Sequence, residues 1–346
     1  MIENPVIALD LSFFVEHFPF TEQVYGKTLL VTGATGLIGS VLVKCLLHLN
    51  RTKNTGIGIV AVARDRAKVQ KLFPDSDIRW VYGDMTEPLA LPVGGMDYII
   101  HCASPTSSRF YVTSPVETIN TALTGTRQLL EYAREHREVR GMVYLSSLES
   151  YGTISDDTIP VTEEAAGYID PLNVRSSYSL GKRATECLCH CYAEEYGVPV
   201  VTARLTQTFG AGVPKQDSRV FAQFCKSVIA GNDIVMHTGG ESAKPYCYTI
   251  DAILALFYLL FRGERGGAYN VANPDTYISI RDMARLLSDR FNPACRVVVE
   301  EKDGMGYAPV TKLRLSTGKL EALGWRPHFP LEEMFNRLIT YYKSIR

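Results

Sequence analysis

The chain has 346 residues, 46% of them hydrophobic and 21% charged, and a formal net charge of −1. That length and composition suit a globular protein with a substantial core, as one large α/β body with a smaller lobe. Near-neutrality argues against general attraction to nucleic acid or acidic lipid. The longest apolar run, within Ile250–Phe261, is too short to span a bilayer.

The start of the chain places Glu3, Asp10 and Glu16 where a secretory leader needs an apolar core, so a cytoplasmic protein without membrane or nucleic-acid partners is expected. Residues 1–26 contain Phe13, Phe14, Phe18 and Phe20, a density that predicts a helix docked on the body. Next comes TLLVTGATGLIGS, Thr28 to Ser40: four residues of strand character, a turn with Gly33, Gly36 and Gly39, and an apolar helix through Val41, Leu42, Cys45 and Leu46. Glycines in such a strand–turn–helix unit let the backbone approach a pyrophosphate, and free N–H groups at the helix start point at it. The pattern predicts a dinucleotide site.

Further strands are predicted at Ile59–Ala63, Ile78–Tyr82, Tyr98–Cys102, Gly141–Leu145 and Pro199–Leu205. Helical periodicity runs over Pro115–His136, and a long helix over Ser177–Tyr196 stops at Gly197. Strands alternating with helices predict an α/β, Rossmann-type, doubly wound parallel sheet for residues 27–210. After Gly210 the rhythm breaks, and residues 211–346 read mainly as a smaller substrate-binding lobe, some of whose segments return to the sheet.

The run CLCHC at Cys187–Cys191 lacks the second ligand pair of a zinc site, and a helix puts Cys187 and Cys191 on one face with Cys189 elsewhere. We expect packed, reduced thiols and no metal. At the end of the second strand stands Ala63, followed by Arg64 with Arg66 nearby. A small residue and a guanidinium suit a 2′-phosphate, which favours NADP over NAD. Asp84, ending the third strand, is a candidate acceptor for the adenine amino group.

Tyr178 and Lys182 stand four apart on the predicted helix and share a face. An ammonium beside a phenol lowers its pKa toward working pH, making Tyr178 a general acid or base for hydride transfer at a carbinol or carbonyl. Ser147, at the end of the fifth strand, would hydrogen-bond the same substrate oxygen.

These motifs resemble an extended short-chain dehydrogenase/reductase of the NAD-dependent epimerase/dehydratase family, whose members act on nucleotide sugars. The matching stretches are TGATGLIG at 32–39, GD at 83–84, HCAS at 101–104, SSLESYG at 146–152, YSLGK at 178–182, RLTQTFG at 204–210 and LGWRP at 323–327. SPTSSRFYVTSPVETI and RSSYSLGKR most resemble the UDP-glucuronate decarboxylases. The resemblance implies that Gly33, Thr35, Gly36, Leu37, Ile38 and Gly39 hold the pyrophosphate. It also implies dinucleotide contacts from Ala63, Arg64, Asp84 and Met85, from Cys102, Ala103 and Ser104, and from Tyr178 and Lys182. Catalysis would fall to Ser147, Glu149, Tyr178 and Lys182, and substrate contacts to Thr106, Gln207 and Lys244, with Arg219 and Arg175 weaker substrate candidates. Helices around Glu117–His136 and Ser177–Tyr196 would pair in a homodimer.

Several positions depart from the family pattern. Leu148 stands where dehydratases carry a proton-donating aspartate. Ala122 replaces an asparagine of the proton relay, for which Thr124 or Asn120 could substitute. Gln207 replaces an asparagine, and Lys244 an arginine that clamps the diphosphate. The expected activity is epimerase, decarboxylase or keto-reductase chemistry on a nucleotide-activated sugar with NADP or NAD. The alternative is a non-catalytic dinucleotide-binding regulator of the same fold, against which the retained Ser147, Tyr178 and Lys182 speak.

Overall fold

The fold is described from a computed structural model, which covers residues 4–74, 77–154, 157–301 and 310–345. In chain order the helices are α1 (Pro5–His17), α2 (Thr21–Val24), α3 (Leu37–Lys53), α4 (Arg66–Leu72), α5 (Ser108–Thr113), α6 (Pro115–Glu135), α7 (Ser176–Tyr196), α8 (Val220–Ala230), α9 (Thr249–Arg262), α10 (Ile280–Phe291), α11 (Gly318–Glu321) and α12 (Leu331–Ser344). The strands are β1 (Thr28–Thr32), β2 (Gly58–Ala63), β3 (Arg79–Tyr82), β4 (Tyr98–His101), β5 (Gly141–Ser147), β6 (Val200–Leu205), β7 (Gln207–Phe209), β8 (Ile234–Met236), β9 (Ala243–Tyr248), β10 (Ala268–Val271), β11 (Asn273–Ser279) and β12 (Val297–Val299).

A seven-stranded parallel sheet runs β10-β6-β5-β4-β1-β2-β3. Its strands are apolar on both faces, as a sheet covered on two sides requires. Leu29, Val31, Ile59 and Ala61 join the core beneath α3 and α9, while Leu30, Val60 and Val62 join the core beneath α6 and α7. The edge strand β10 comes from beyond residue 210 and pairs with β6. A three-stranded sheet, β11-β9-β7, and the pair β12-β8 make up most of the remainder.

The N-terminal aromatics form part of the body. Asn4 caps α1 by accepting from the Val6 amide at 3.0 Å, with Pro5 at the first helical position. Phe14, Phe18 and Phe20 are buried, and Phe18 meets Phe257 of α9 edge-on at 4.8 Å. The buried Asp10 ties α1 across the fold, accepting from the Tyr248 hydroxyl at 2.7 Å and from Arg337 of α12 at 2.6 Å.

The fifth strand is longer than its apolar run predicts. Ser146 and Ser147 stay in register with Arg204 and Leu205 of β6, so both serines belong to the strand. The helix after β4 buries a face of small residues, Thr118, Ala122, Gly125 and Thr126. That face lets α7 approach closely: a Cβ on Gly181 would sit 3.5 Å from the Ala122 methyl. Gly197, at φ +68°, ends α7 in a left-handed cap.

The cysteine expectation needs correcting in part. Cys189 is buried against the sheet, but Cys187 and Cys191 are exposed on the outer face of α7, beside one another. The helical period that turns Cys189 inward turns its neighbours two residues away outward. None of the eight cysteines forms a disulfide.

Candidate active site

The glycine turn lies at the carboxyl end of β1, where the strand order reverses between β2 and β4, the switch point at which ligands of such sheets bind. Gly33 has φ +64°, and a Cβ there would stand 2.7 Å from the Ala103 nitrogen. A Cβ on Gly39 would overlap the Gly33 carbonyl oxygen. Gly36 opens α3 without any side-chain cap, so the amides of the first turn are left to a ligand. A concave backbone cradle with uncapped donors fits a pyrophosphate.

At the expected adenosine end, Arg64 is 76% exposed and pairs with Asp84 at 3.0 Å. The other Asp84 oxygen accepts from the Thr86 amide at 3.0 Å and its hydroxyl at 2.8 Å. Partial burial opposes ionisation, but the Thr86 and Arg64 bonds prevail and hold the carboxyl below its ordinary range. Both oxygens of the expected adenine acceptor are therefore already engaged. Arg66 lies over the Tyr82 ring at 3.8 Å. Met85 is buried, against the side of α6 where Gly125 leaves room.

The floor between the two ends is β4 and the residues after it. His101 is buried and bridges Thr32 at 2.6 Å and Thr126 at 3.0 Å, locking β1 to α6. Burial, reinforced by the Lys182 charge, pushes its imidazole down to about 3, so it is a neutral brace. The Ala103 amide donates to Thr32 Oγ1 at 3.2 Å. Burial raises the Cys102 thiol to about 12, which makes it an inert packing group.

Tyr178 and Lys182 come from the first turns of α7, directly over the end of β5. Lys182 is 2% exposed; its ammonium donates to the Leu145 carbonyl at 2.6 Å and lies 5.8 Å from the Tyr178 ring centre. Burial lowers the Lys182 ammonium to about 8. Tyr178 departs from the expectation of a depressed pKa: burial and the Glu149 carboxylate push it well upward, against the opposing bonds from Ser147, Tyr111 and Ser104. The lysine is directed at a backbone carbonyl, and its charge does not offset that burial. Burial and Glu149 thus favour the neutral phenol, while the hydrogen bonds from Ser147, Tyr111 and Ser104 favour the ionised form.

Glu149 sits on a 3₁₀ turn, Leu148–Tyr151, that follows β5, and its amide donates to Ser147 Oγ at 3.2 Å. Ser179 lies 3.5 Å from its carboxylate. Lys244 of β9, partly buried, lies within electrostatic reach of Glu149, Arg219 and Arg175, and burial holds its ammonium below the ordinary value. The structure thus brings Glu149, Arg219 and Arg175 within electrostatic reach of Lys244. Arg219 is bound to Asp217, 2.7 Å away, which neutralises much of its charge. Gln207 begins β7 and is partly buried; Thr106 is exposed on the loop after β4.

The suggested relay substitutes are not brought in. Asn120 and Thr124 are both exposed, because the inward face of α6 is set by Thr118, Ala122 and Gly125.

Two features escaped the sequence. Glu186, buried one turn beyond Lys182, binds Arg204 of β6 at 2.8 Å and accepts from the Ser146 hydroxyl, pinning α7 to the strand that ends in Ser147. The i, i+4 series Tyr178, Lys182, Glu186 was its available signal. The second is Tyr111 of α5, whose ring stacks on Tyr178 with centroids 4.3 Å apart. Only its place in the SPTSSRFYVTSPVETI stretch marked it.

Fold and site together define an enzyme of the extended short-chain dehydrogenase/reductase type. The chain belongs to the NAD dependent epimerase/dehydratase family, whose model matches residues 29–272. It is 29% identical over 340 residues to UDP-glucuronic acid decarboxylase 1 of Xenopus tropicalis, covering 97% of this chain and 77% of that protein. In structure it resembles the UDP-glucose 4-epimerase of Thermotoga maritima, determined with UDP-glucose, with a TM-score of 0.76 at 21% identity, covering 92% and 99% of the two chains. It also resembles the dTDP-glucose 4,6-dehydratase of Bacillus anthracis in complex with NAD, with a TM-score of 0.73 at 18% identity, covering 92% and 97%. Among the described residues no helix is long and apolar enough to cross a membrane.

Proposed function

We propose that the protein binds a nicotinamide dinucleotide and carries out decarboxylation of a nucleotide-linked uronate through hydride transfer at a sugar carbinol. One observation supports the reading: Ser147, Glu149 and Tyr178 influence one another at the carboxyl end of β5, and Lys244 lies within electrostatic reach of Glu149. The likeness to the UDP-glucuronic acid decarboxylase relatives supports the choice of uronate, and the cations Lys244 and Arg175 suit an anionic nucleotide sugar.

In this reading the uncapped amides of Leu37 and Ile38 bind the pyrophosphate, and Ala63 and Arg64 meet the adenosine ribose. Ala103 and Ser104 line the path to Tyr178. The nicotinamide, when bound, supplies the hydride acceptor and donor. Ser147 orients the substrate hydroxyl toward Tyr178, whose ionised form takes the proton on oxidation and whose phenol returns it on reduction, while Lys182 supplies the positive charge that favours the ionised form. Glu149 holds the sugar on the other side. Residues 27–210 carry the dinucleotide and 211–346 mainly cover the substrate.

Ala63 and Arg64 support NADP, whereas the Arg64–Asp84 pair works against it because a 2′-phosphate must compete with a carboxylate already in place. The preference is therefore small in this reading, no more than about tenfold, roughly 1.4 kcal/mol. A homodimer through the outer faces of α6 and α7 completes the proposal.

The test is incubation of the protein and dinucleotide with UDP-glucuronate, followed by mass spectrometry of the nucleotide sugar. Loss of carbon dioxide to give a UDP-pentose is the expected result. An unchanged UDP-glucuronate, with NADPH oxidised by a keto-sugar nucleotide instead, would replace the decarboxylase by a reductase.

A further inference from the structure

With Ala122 in place of an asparagine, and Asn120 and Thr124 turned outward, α6 offers no polar side chain to the acid/base centre from that part of its length. The hydroxyl next to Tyr178 comes from α5 instead. Tyr111 is only 4% exposed, and its ring lies flat on that of Tyr178, with centroids 4.3 Å apart and planes 10° from parallel. Its backbone is fixed to the start of α7, where the Ser177 hydroxyl donates to the Tyr111 carbonyl at 3.0 Å. Its own hydroxyl reaches the Pro105 carbonyl at 3.4 Å. With the rings stacked, the Tyr111 hydroxyl is, with Ser147 and Ser104, among the groups that favour the ionised Tyr178.

We propose that Tyr111 is a positioning residue for Tyr178, its ring fixing the phenol and its hydroxyl donating to the Tyr178 oxygen when that oxygen is ionised. The proposal rests on the reading of Tyr178 as the acid/base. A half-buried phenolate next to Glu149 needs donors, because each hydrogen bond to the charged form favours it. The Lys182 ammonium donates to the Leu145 carbonyl, and the phenol stacked on Tyr178 adds a further donor when it turns from its long bond to Pro105. The pair has the further consequence that α5, and with it the loop carrying Thr106, is tied to the reacting group.

Tyr111→Phe keeps the stacked ring and removes the hydroxyl; Tyr111→Leu removes both. The full chain is labelled at tyrosine Cζ, and the Tyr178 resonance is assigned by its loss in Tyr178→Phe. Circular dichroism establishes that each variant is folded. Tyr111→Phe is expected to displace the Tyr178 resonance while leaving dinucleotide affinity within about twofold. It should also move the pH profile of turnover on UDP-glucuronate upward by about one unit, a tenfold loss at fixed pH below it. An unmoved Tyr178 resonance in folded Tyr111→Phe overturns the proposal whatever the substrate. Turnover retained by Tyr178→Phe would instead overturn the acid/base reading beneath it.

Discussion

The end of the site proposed for the dinucleotide is made of backbone, and the end proposed for the substrate of side chains drawn from distant stretches of chain. At the first, Gly33, Gly36 and Gly39 lie within one turn, and their role follows from the absence of a Cβ. At the second, Glu149, Lys244, Arg219 and Arg175 come from four different segments and meet only through the fold. Backbone sites are fixed by local sequence and tolerate no change; side-chain sites can be retuned residue by residue. The substitutions Leu148, Gln207 and Lys244 all fall on the second kind.

The largest effect is expected at the cradle. Gly39→Val drives a side chain into the Gly33 carbonyl and should weaken dinucleotide binding by about a thousandfold, roughly 4 kcal/mol, in titration calorimetry. Binding within a few fold of wild type would show that the pyrophosphate sits elsewhere. Next is the brace between β5 and α7. Glu186→Gln leaves Arg204 buried without its carboxylate and should cost about 3–5 kcal/mol in urea unfolding. A loss below about 1 kcal/mol would mean the pair is not the clamp.

Lys182 gives a smaller, pH-dependent effect. Its ammonium is held at about 8 in the folded protein, against 10.5 ordinarily. The unfolded chain therefore binds more protons between those values, and stability rises with pH through that window while the penalty is full below pH 8. Lys182→Met removes the penalty, so the stability difference between the two proteins should shift by on the order of 3 kcal/mol in favour of wild type from pH 8 to 10.5. Parallel unfolding curves would contradict a depressed lysine. The smallest effect is Arg64→Ala, which should reduce the ratio of NADP to NAD affinity by no more than about tenfold. Equal losses for both dinucleotides would remove the 2′-phosphate contact.

The same contrast explains what could be read from the sequence. The strand–turn–helix at residues 28–40, the alternation that builds the sheet, and the Tyr178–Lys182 spacing are short-range patterns, and each matches the structure closely. Longer-range facts were out of reach. Ser146 and Ser147 extend β5 because of their partners on β6, not because of any strand propensity of their own. Asn120 and Thr124 failed as relay groups because the buried face of α6 is chosen by α7. Burial and Glu149, both tertiary, outweighed the nearby lysine at Tyr178. Tyr111 and Glu186 lie far from the residues they serve, or one turn beyond the motif that named them.

The most direct test is Tyr178→Phe, measured for both dinucleotide affinity and the rate of UDP-pentose formation from UDP-glucuronate. Removal of the hydroxyl should leave affinity within a few fold and reduce the rate by about a thousandfold, within the range that positioned acid/base groups contribute. A rate unchanged from wild type would contradict Tyr178 as the proton-transfer group, and with it the function derived from this cleft.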